Sequence, residues 1–387
     1  MDVVQSADLS RPELARYSRH LVLPEVGMAG QRKLKAASVL LVGAGGLGSP
    51  LGLYLAAAGV GRLGIVDDDI VDETNLQRQV IHSSASVGES KVKSAAQRIA
   101  DLNPNVEVST YPFRLDASRA LGLVTEYDVT VDGSDNFPTR FLVNDACVLA
   151  GKPNVYGSVY RFEGQASVFD ARRGPCYRCL FPQPPPAGSV PSCAEGGVLG
   201  VLPGIIGLIQ ATETIKLIIG AGNPLIGRLL IFDALDMRFA SLSISKDDAC
   251  PICSATPSIT RLRDEDVACD PLPADARRFA DSDADITPRT LRAKLDRGES
   301  LELLDVREPV EREIAKLPNT REIPLGDLAR HLDELPKDKE IVVYCRVGGR
   351  SAQAAQLLRA AGFSRVRNLL GGLHAWIDDV DPTLTRY

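Results

Sequence analysis

Two short apolar runs, each emptying into a glycine-bearing loop that opens a helix, constrain this chain more than any other feature. Ser38-Val-Leu-Leu-Val42 leads into Gly43-Ala-Gly-Gly-Leu-Gly48, and Ile341-Val-Val-Tyr344 leads into Cys345-Arg-Val-Gly-Gly-Arg350. An unbroken apolar run of this length is the signature of a strand buried on both faces, the inner strand of a parallel sheet covered by helices. A loop between such a strand and a helix points backbone N–H groups and the helix N-terminus at whatever sits there, which favours anions. The chain is therefore expected to fold as α/β, with two separate anion-holding loops. One of them carries a cysteine, whose sulfur such a loop would hold as a thiolate or persulfide.

At 387 residues the chain exceeds the usual size of one hydrophobic core. The first unit is expected over residues 1–255 and the second over 285–387. Residues 256–284, polar with repeated Asp and Pro, read as a linker. The charge balance of 44 basic against 50 acidic residues, net -6, includes no basic block, so no nucleic-acid partner is expected. Val198–Ile209 is the longest apolar stretch, but Gln210, Glu213 and Lys216 end it short of a membrane span, and a buried helix is expected instead. The first residues, Met1-Asp-Val-Val-Gln-Ser-Ala-Asp8, have neither the positive start nor the apolar core of a signal peptide. A cytoplasmic protein without a membrane partner is the expectation.

Within the first unit, a second strand at Leu63–Val66 ends at Asp67, and a further one at Tyr127–Val131 ends at Asp132-Gly-Ser-Asp-Asn136. Strand, glycine loop, helix and strand open a doubly wound nucleotide-binding sheet, and its ligands collect at the carboxyl edge. The glycine run satisfies G-x-G-x-x-G with Asp67 positioned to bind a ribose hydroxyl, so an NAD-dependent oxidoreductase fused to a second module is one alternative. The cations discriminate: Arg19, Arg78 in Thr74-Asn-Leu-Gln-Arg78, and Lys91 in Gly88-Glu-Ser-Lys91. A triphosphate attacked at its α-phosphorus needs positive charge in the transition state, whereas a pyrophosphate bridge is served largely by backbone. Asp135 is a candidate ligand for the accompanying Mg2+.

Eight cysteines without a secretory signal point to metal or catalysis rather than disulfides. Cys176-Tyr-Arg-Cys179 and Cys250-Pro-Ile-Cys253 form two C-x-x-C knuckles, together a four-thiolate, structural Zn2+ site with no open position. Cys193 follows the Pro-rich segment 182–191 and belongs to neither knuckle; Cys147 and Cys269 are read as bystanders, and His20, His82, His331 and His374 as surface or packing residues.

Arg16-Tyr-Ser-Arg-His20, the glycine run, Asn75-Leu-Gln-Arg-Gln79, Gly88-Glu-Ser-Lys-Val92 and Asp132-Gly-Ser-Asp-Asn136 together resemble the adenylyltransferases of the ubiquitin-activating superfamily that act on sulfur carriers of molybdopterin and thiamine synthesis, over residues 10–255. The resemblance implies ATP binding by Gly43, Gly45, Gly46 and Asp67, with Asn75, Arg78, Lys91, Asp135 and Asn136 at the same site. It also implies a homodimer in which Arg19 reaches the neighbour's site. Cys193 aligns with a cysteine that forms a glycyl thioester in relatives with this two-domain layout.

The C-terminal unit resembles a rhodanese domain, in Leu304-Asp-Val-Arg-Glu308 and the Cys345 loop. The loop is C-x4-R, shorter than the C-x5-R cradle that embraces a whole phosphate, and suits a terminal sulfur; Arg346 and Arg350 would stabilise a persulfide. The combined expectation is an ATP-dependent adenylyltransferase and sulfurtransferase. It would activate the C-terminal glycine of a small ubiquitin-like sulfur-carrier protein ending in Gly-Gly and deliver sulfur from Cys345, which a donor such as a cysteine desulfurase would load. Molybdenum cofactor synthesis and a carrier-based cysteine pathway would need the same sites.

Overall fold

Both apolar runs form inner parallel strands. The computed structural model describes residues 8–185, 196–264 and 284–387, and the chain divides into two compact units, Met1–Ala268 and Cys269–Tyr387.

In the first unit, β1 (Ser38–Val42), β2 (Arg62–Val66), β3 (Glu107–Tyr111), β4 (Val129–Asp132) and β5 (Asn154–Tyr160) run parallel. Antiparallel β6 (Glu163–Phe169), β7 (Arg228–Asp233) and β8 (Arg238–Ser243) then complete an eight-stranded sheet of order β3-β2-β1-β4-β5-β6-β7-β8. The alternation along β1 divides the core, with Val39 and Leu41 in one apolar cluster and Leu40 and Val42 in another across the sheet. The register pairs Val42 with both Val66 and Asp132. The ends of β1, β2 and β4 are thereby level, and the strand order reverses between β1 and β4, the position where doubly wound sheets bind ligands.

Strand β3 is absent from the sequence reading because Glu-Val-Ser-Thr-Tyr, on an edge, lacks the continuous apolar run of its buried neighbours. The apolar stretch after Val198 becomes the helix Leu202–Ile219, which packs on the helix Gly48–Ala58 and on β5 and β6. It is long and apolar enough to cross a membrane, yet half of it is buried within this unit, as a core helix is. Gln210, buried in its middle, donates to Asp132 O at 2.7 Å and Val155 O at 3.1 Å, tying the helix to β4 and β5.

The second unit is a five-stranded, all-parallel sheet of order β11-β10-β12-β13-β9. Its strands are β9 (Asp285–Ile286), β10 (Leu301–Asp305), β11 (Thr320–Glu322), β12 (Glu340–Tyr344) and β13 (Val366–Leu369). The central strand β12 is buried throughout. It sends Ile341, Val343 and Cys345 into one apolar cluster and Val342 and Tyr344 into the other. Cys345 is thus fixed at the carboxyl end of the innermost strand, immediately before the helix Gly349–Ala360.

Candidate functional sites

At the carboxyl edge of the first sheet, the glycine loop is shaped by contacts that exclude side chains. Gly43 has φ +97°, and a Cβ there would lie 2.8 Å from Gly133 O; a Cβ on Gly48 would lie 2.0 Å from Gly43 O. These two glycines allow the loop after β1 to press against the loop after β4, leaving the intervening turn at the sheet edge. Asp67 fixes that turn, accepting from Ala44 N at 2.8 Å and Asp69 N at 2.9 Å. Burial pushes its carboxyl above the ordinary range, against the pull of Lys91 and these two N–H groups. Lys91 is itself buried and bonds Asp69 at 2.7 Å. A buried ammonium beside an acid pair at a sheet edge can meet the phosphates or ribose of a nucleotide.

Behind the loop stands His82, 7% exposed. Its Nε2 lies 3.0 Å from Ala44 O and its Nδ1 2.9 Å from Ser94 Oγ. Burial lowers its pKa, which favours neutral imidazole, with one nitrogen donating to the loop carbonyl. Across the edge, Asp132 Oδ1 accepts from Ser134 N at 3.0 Å and Ser134 Oγ at 2.6 Å, forming the turn that carries Asp135 to the surface. Asn136 caps the helix Phe137–Ala150 through Thr139 N at 3.0 Å.

In the second unit the sulfur of Cys345 is fully buried and accepts from Gly348 N at 3.1 Å and Ser351 Oγ at 3.4 Å. Gly348 has φ +102° and is the N-cap of the helix Gly349–Ala360, so the loop turns its N–H toward the sulfur. Such donors stabilise a thiolate or terminal persulfide. Arg350 forms a fork with Glu311, both N–H···O distances 2.7 Å. Burial works to raise Glu311, but the Arg350 bonds and charge outweigh it and hold the carboxyl below its ordinary range. Arg346 lies with its guanidinium 5.8 Å from the centre of the Tyr387 ring.

The sulfurs of Cys176, Cys179, Cys250 and Cys253 lie within 4.8 Å of one another, with Cys176 3.6 Å from Cys250 and Cys179 3.4 Å from Cys253. A tetrahedral zinc with Zn–S of about 2.3 Å requires sulfurs about 3.8 Å apart, so the four residues fit the ion. The hydrogen bond to Cys179 and burial push Cys176 up, while the same hydrogen bond pulls Cys179 down. The first knuckle is anchored by a buried fork from Arg178 to Asp145, with Nη2 to Oδ2 at 2.7 Å, and by Tyr177 N donating to Asn144 at 2.7 Å.

Residues 17–252 match the ThiF family and residues 287–379 the rhodanese-like domain. The chain belongs to the ThiF family. Relatives match the chain along nearly its whole length. The probable adenylyltransferase/sulfurtransferase MoeZ of Mycobacterium tuberculosis (strain CDC 1551 / Oshkosh) is 51% identical over all of this chain and 98% of that protein. Adenylyltransferase and sulfurtransferase MOCS3 of Mus musculus is 44% identical over 98% of this chain and 89% of its own length. A crystal structure of E. coli MccB with MccA-N7isoASN superposes with TM-score 0.56 at 23% identity, over 64% of this chain and 76% of that one, and supports the fold alone. This ThiF-family chain is an adenylyltransferase and sulfurtransferase. The NAD-dependent oxidoreductase alternative gains no support from these relatives.

Of the residues singled out from sequence, Gly43, Gly45, Gly46, Asp67, Lys91, Asp135 and Asn136 lie on or next to the loops at the ends of β1, β2 and β4. Asn75 and Arg78 lie on the segment after β2: Asn75 accepts from Asp72 N at 3.4 Å, and Arg78 donates to Thr74 O at 3.1 Å. A Cβ on Gly46 would meet the side chain of Arg78 at 3.6 Å, which brings that segment against the glycine loop. Arg19 is exposed on the short helix Ser18–Leu21. Cys193 and Cys269 lie outside the described residues. Cys147 is buried with its thiol pushed up to about 12 by burial, as an inert core cysteine is.

Sequence reasoning missed Glu311, His82 as a prop of the glycine loop, and the Arg178–Asp145 anchor. Glu311 carried one available signal, since it stands three residues after Glu308 at the start of a Pro-initiated helix, the spacing of a capping box. His82 and Asp145 had none, because their partners are far away in sequence.

Proposed function

We propose that the first unit adenylates the C-terminal glycine of a small ubiquitin-like sulfur-carrier protein and that Cys345 then supplies the sulfur. The carrier's carboxylate attacks the α-phosphorus of ATP, giving a carrier acyl-adenylate and pyrophosphate. Gly43, Gly45, Gly46, Asp67, Asn75, Arg78, Lys91 and Asn136 bind the nucleotide, and Asp135 holds Mg2+. The terminal sulfur of a Cys345 persulfide, loaded by a donor such as a cysteine desulfurase, attacks the acyl group, directly or after its transfer to Cys193, and the adenylate or the Cys193 thiolate leaves. The resulting acyl disulfide yields thiocarboxylate when one thiol attacks the Cys345 sulfur, and a second thiol resolves the mixed disulfide left there, returning Cys345 to the thiol and releasing the two thiols as a disulfide.

The observation that carries this reading is the Cys345 sulfur held by Gly348 N and Ser351 Oγ, on the same chain as a glycine loop braced by Asp67. The four knuckle cysteines would hold a structural Zn2+, consistent with their spacing. A homodimer, with Arg19 completing the neighbour's ATP site, agrees with its exposed position. A cytoplasmic setting suits a chain that works through free thiols. The carriers served would include that of molybdenum cofactor synthesis.

Asp135→Ala should abolish carrier-dependent ATP–pyrophosphate exchange, whereas Cys345→Ala should preserve it; unchanged exchange in Asp135→Ala would remove that residue from the nucleotide.

A further inference from the structure

The network around Glu311 does not stop at Arg350. Tyr387 Oη donates to Glu311 Oε1 at 3.3 Å and accepts from Arg307 Nη1 at 2.5 Å. Arg307 is fully buried and is fixed by Asp305, at the end of β10, with Nε to Oδ1 at 2.9 Å and Nη2 to Oδ2 at 2.6 Å. The phenol therefore links a rigid buried ion pair to the carboxylate that grips the second arginine of the Cys345 loop.

The same residue meets the loop's first arginine. The Arg346 guanidinium stands within cation–π range of the Tyr387 ring, at 5.8 Å. The backbone of Tyr387 is held in turn, its carbonyl 2.8 Å from His374 Nε2, and His374 N donates to Arg346 O at 3.0 Å. One side chain thus touches the settings of both arginines that flank the sulfur. Its ring and its hydroxyl do so separately.

We propose that Tyr387 is a positioning residue for sulfur transfer at Cys345, its hydroxyl holding Glu311 against Arg350 and its ring holding Arg346. The proposal rests on the assignment of Cys345 as the sulfur carrier. A loop of this kind must receive a terminal sulfur and release it without moving its donors, and a small displacement of either arginine weakens the stabilisation of the anionic persulfide. Removing the hydroxyl alone leaves Glu311 and Arg307 each short of a partner while the ring stays over Arg346. Removing the whole side chain affects both arginines.

The test uses the full chain with thiosulfate as donor and cyanide as acceptor. The Cys345 thiolate attacks the outer sulfur of thiosulfate, breaking its S–S bond and releasing sulfite; cyanide then takes that sulfur as thiocyanate and regenerates the thiolate. Tyr387→Phe should lower kcat by about tenfold with KM for thiosulfate little changed, and Tyr387→Ala should also raise KM, because the cation that meets the anionic donor is displaced. Both variants should retain wild-type circular dichroism and carrier-dependent pyrophosphate exchange. Wild-type kcat and KM in Tyr387→Phe would overturn the proposal, as would losses in either variant that merely track loss of folded protein. Cys345→Ala in the same assay separates the two levels: full activity there would refute the cysteine's role itself, whereas no activity there with a wild-type Tyr387→Phe would refute only the role of Tyr387.

Discussion

The loops after β1 and β12 begin alike and finish differently. Each follows an inner parallel strand, opens a helix and contains glycine at positive φ, yet the glycines of the first let two stretches of backbone pack together, whereas the second surrounds a side-chain atom of the chain itself. In the first, Gly43 and Gly48 are required by the contact with Gly133 and within the turn, and the polar supports Asp67 and His82 attach to Ala44. In the second, the donors Gly348 N and Ser351 Oγ converge on Cys345, and the arginine that closes the loop is committed to Glu311. A ligand that must enter and leave needs an open, braced backbone. A terminal sulfur received and released on Cys345 would need donors and charge that do not move.

That contrast can be broken at several points, the most severe being Gly48→Ala. A methyl 2.0 Å from Gly43 O has nowhere to go, and the loop after β1 must shift, at a cost of about 3 kcal/mol or more. Calorimetry should show the first unit melting earlier, with pyrophosphate exchange lost and thiosulfate–cyanide transfer retained; exchange at the wild-type rate would refute the packing described for the loop. Removing the zinc proposed for the four cysteines comes next. A strong chelator should destabilise the first unit by several kcal/mol and leave the second unchanged, since all four thiolates belong to the first. A protein that binds no zinc would dismiss the assignment.

Glu311→Gln should act in the opposite unit. It removes half of a fork that is largely sheltered from solvent and should lower thiosulfate–cyanide transfer by about tenfold, with exchange unaffected. The same pair predicts an acid response. The folded pKa of Glu311 is depressed, so its contribution to stability is present above the ordinary carboxylate value and is lost as pH falls through the folded value. The melting temperature of the second unit should fall below about pH 4.5, and Glu311→Gln should flatten that part of the profile. The smallest effect is expected at His82. Its pKa is lowered, so its contribution is complete above the unfolded value near 6.5 and declines as pH falls below it. Exchange in the wild type should weaken only as pH falls through the folded value of His82, which lies below its ordinary value, and His82→Asn should reduce exchange a few-fold while removing that dependence; an unaltered pH profile would detach His82 from the loop.

The parts of each loop legible in the sequence are those encoded locally. Continuous apolar runs announced β1, β2 and β12, the glycine spacing announced the first turn, and two C-x-x-C pairs announced the thiolate cluster. Strand β3 escaped because an edge strand of Glu-Val-Ser-Thr-Tyr has no buried face on both sides to write into its composition. Arg350 was recognised from its spacing to Cys345, but not the Glu311 that holds it, because a chain separation of 39 residues carries no period. The same holds for Arg178 and Asp145, whose pairing depends on the helix Phe137–Ala150 packing against the first knuckle. Local chemistry is written in spacing; the partners that orient it are set by tertiary packing.

The central claim, that one chain activates a carrier's carboxylate and Cys345 delivers the sulfur, is tested most directly by the intact mass of the carrier after incubation with ATP, a persulfide donor, a thiol reductant and the full-length enzyme. Wild type should give a carrier in which one oxygen of the terminal carboxylate is replaced by sulfur. Cys345→Ala should give none of this product while still exchanging pyrophosphate into ATP in the carrier's presence. Thiocarboxylate formed at the wild-type rate by Cys345→Ala would contradict the account.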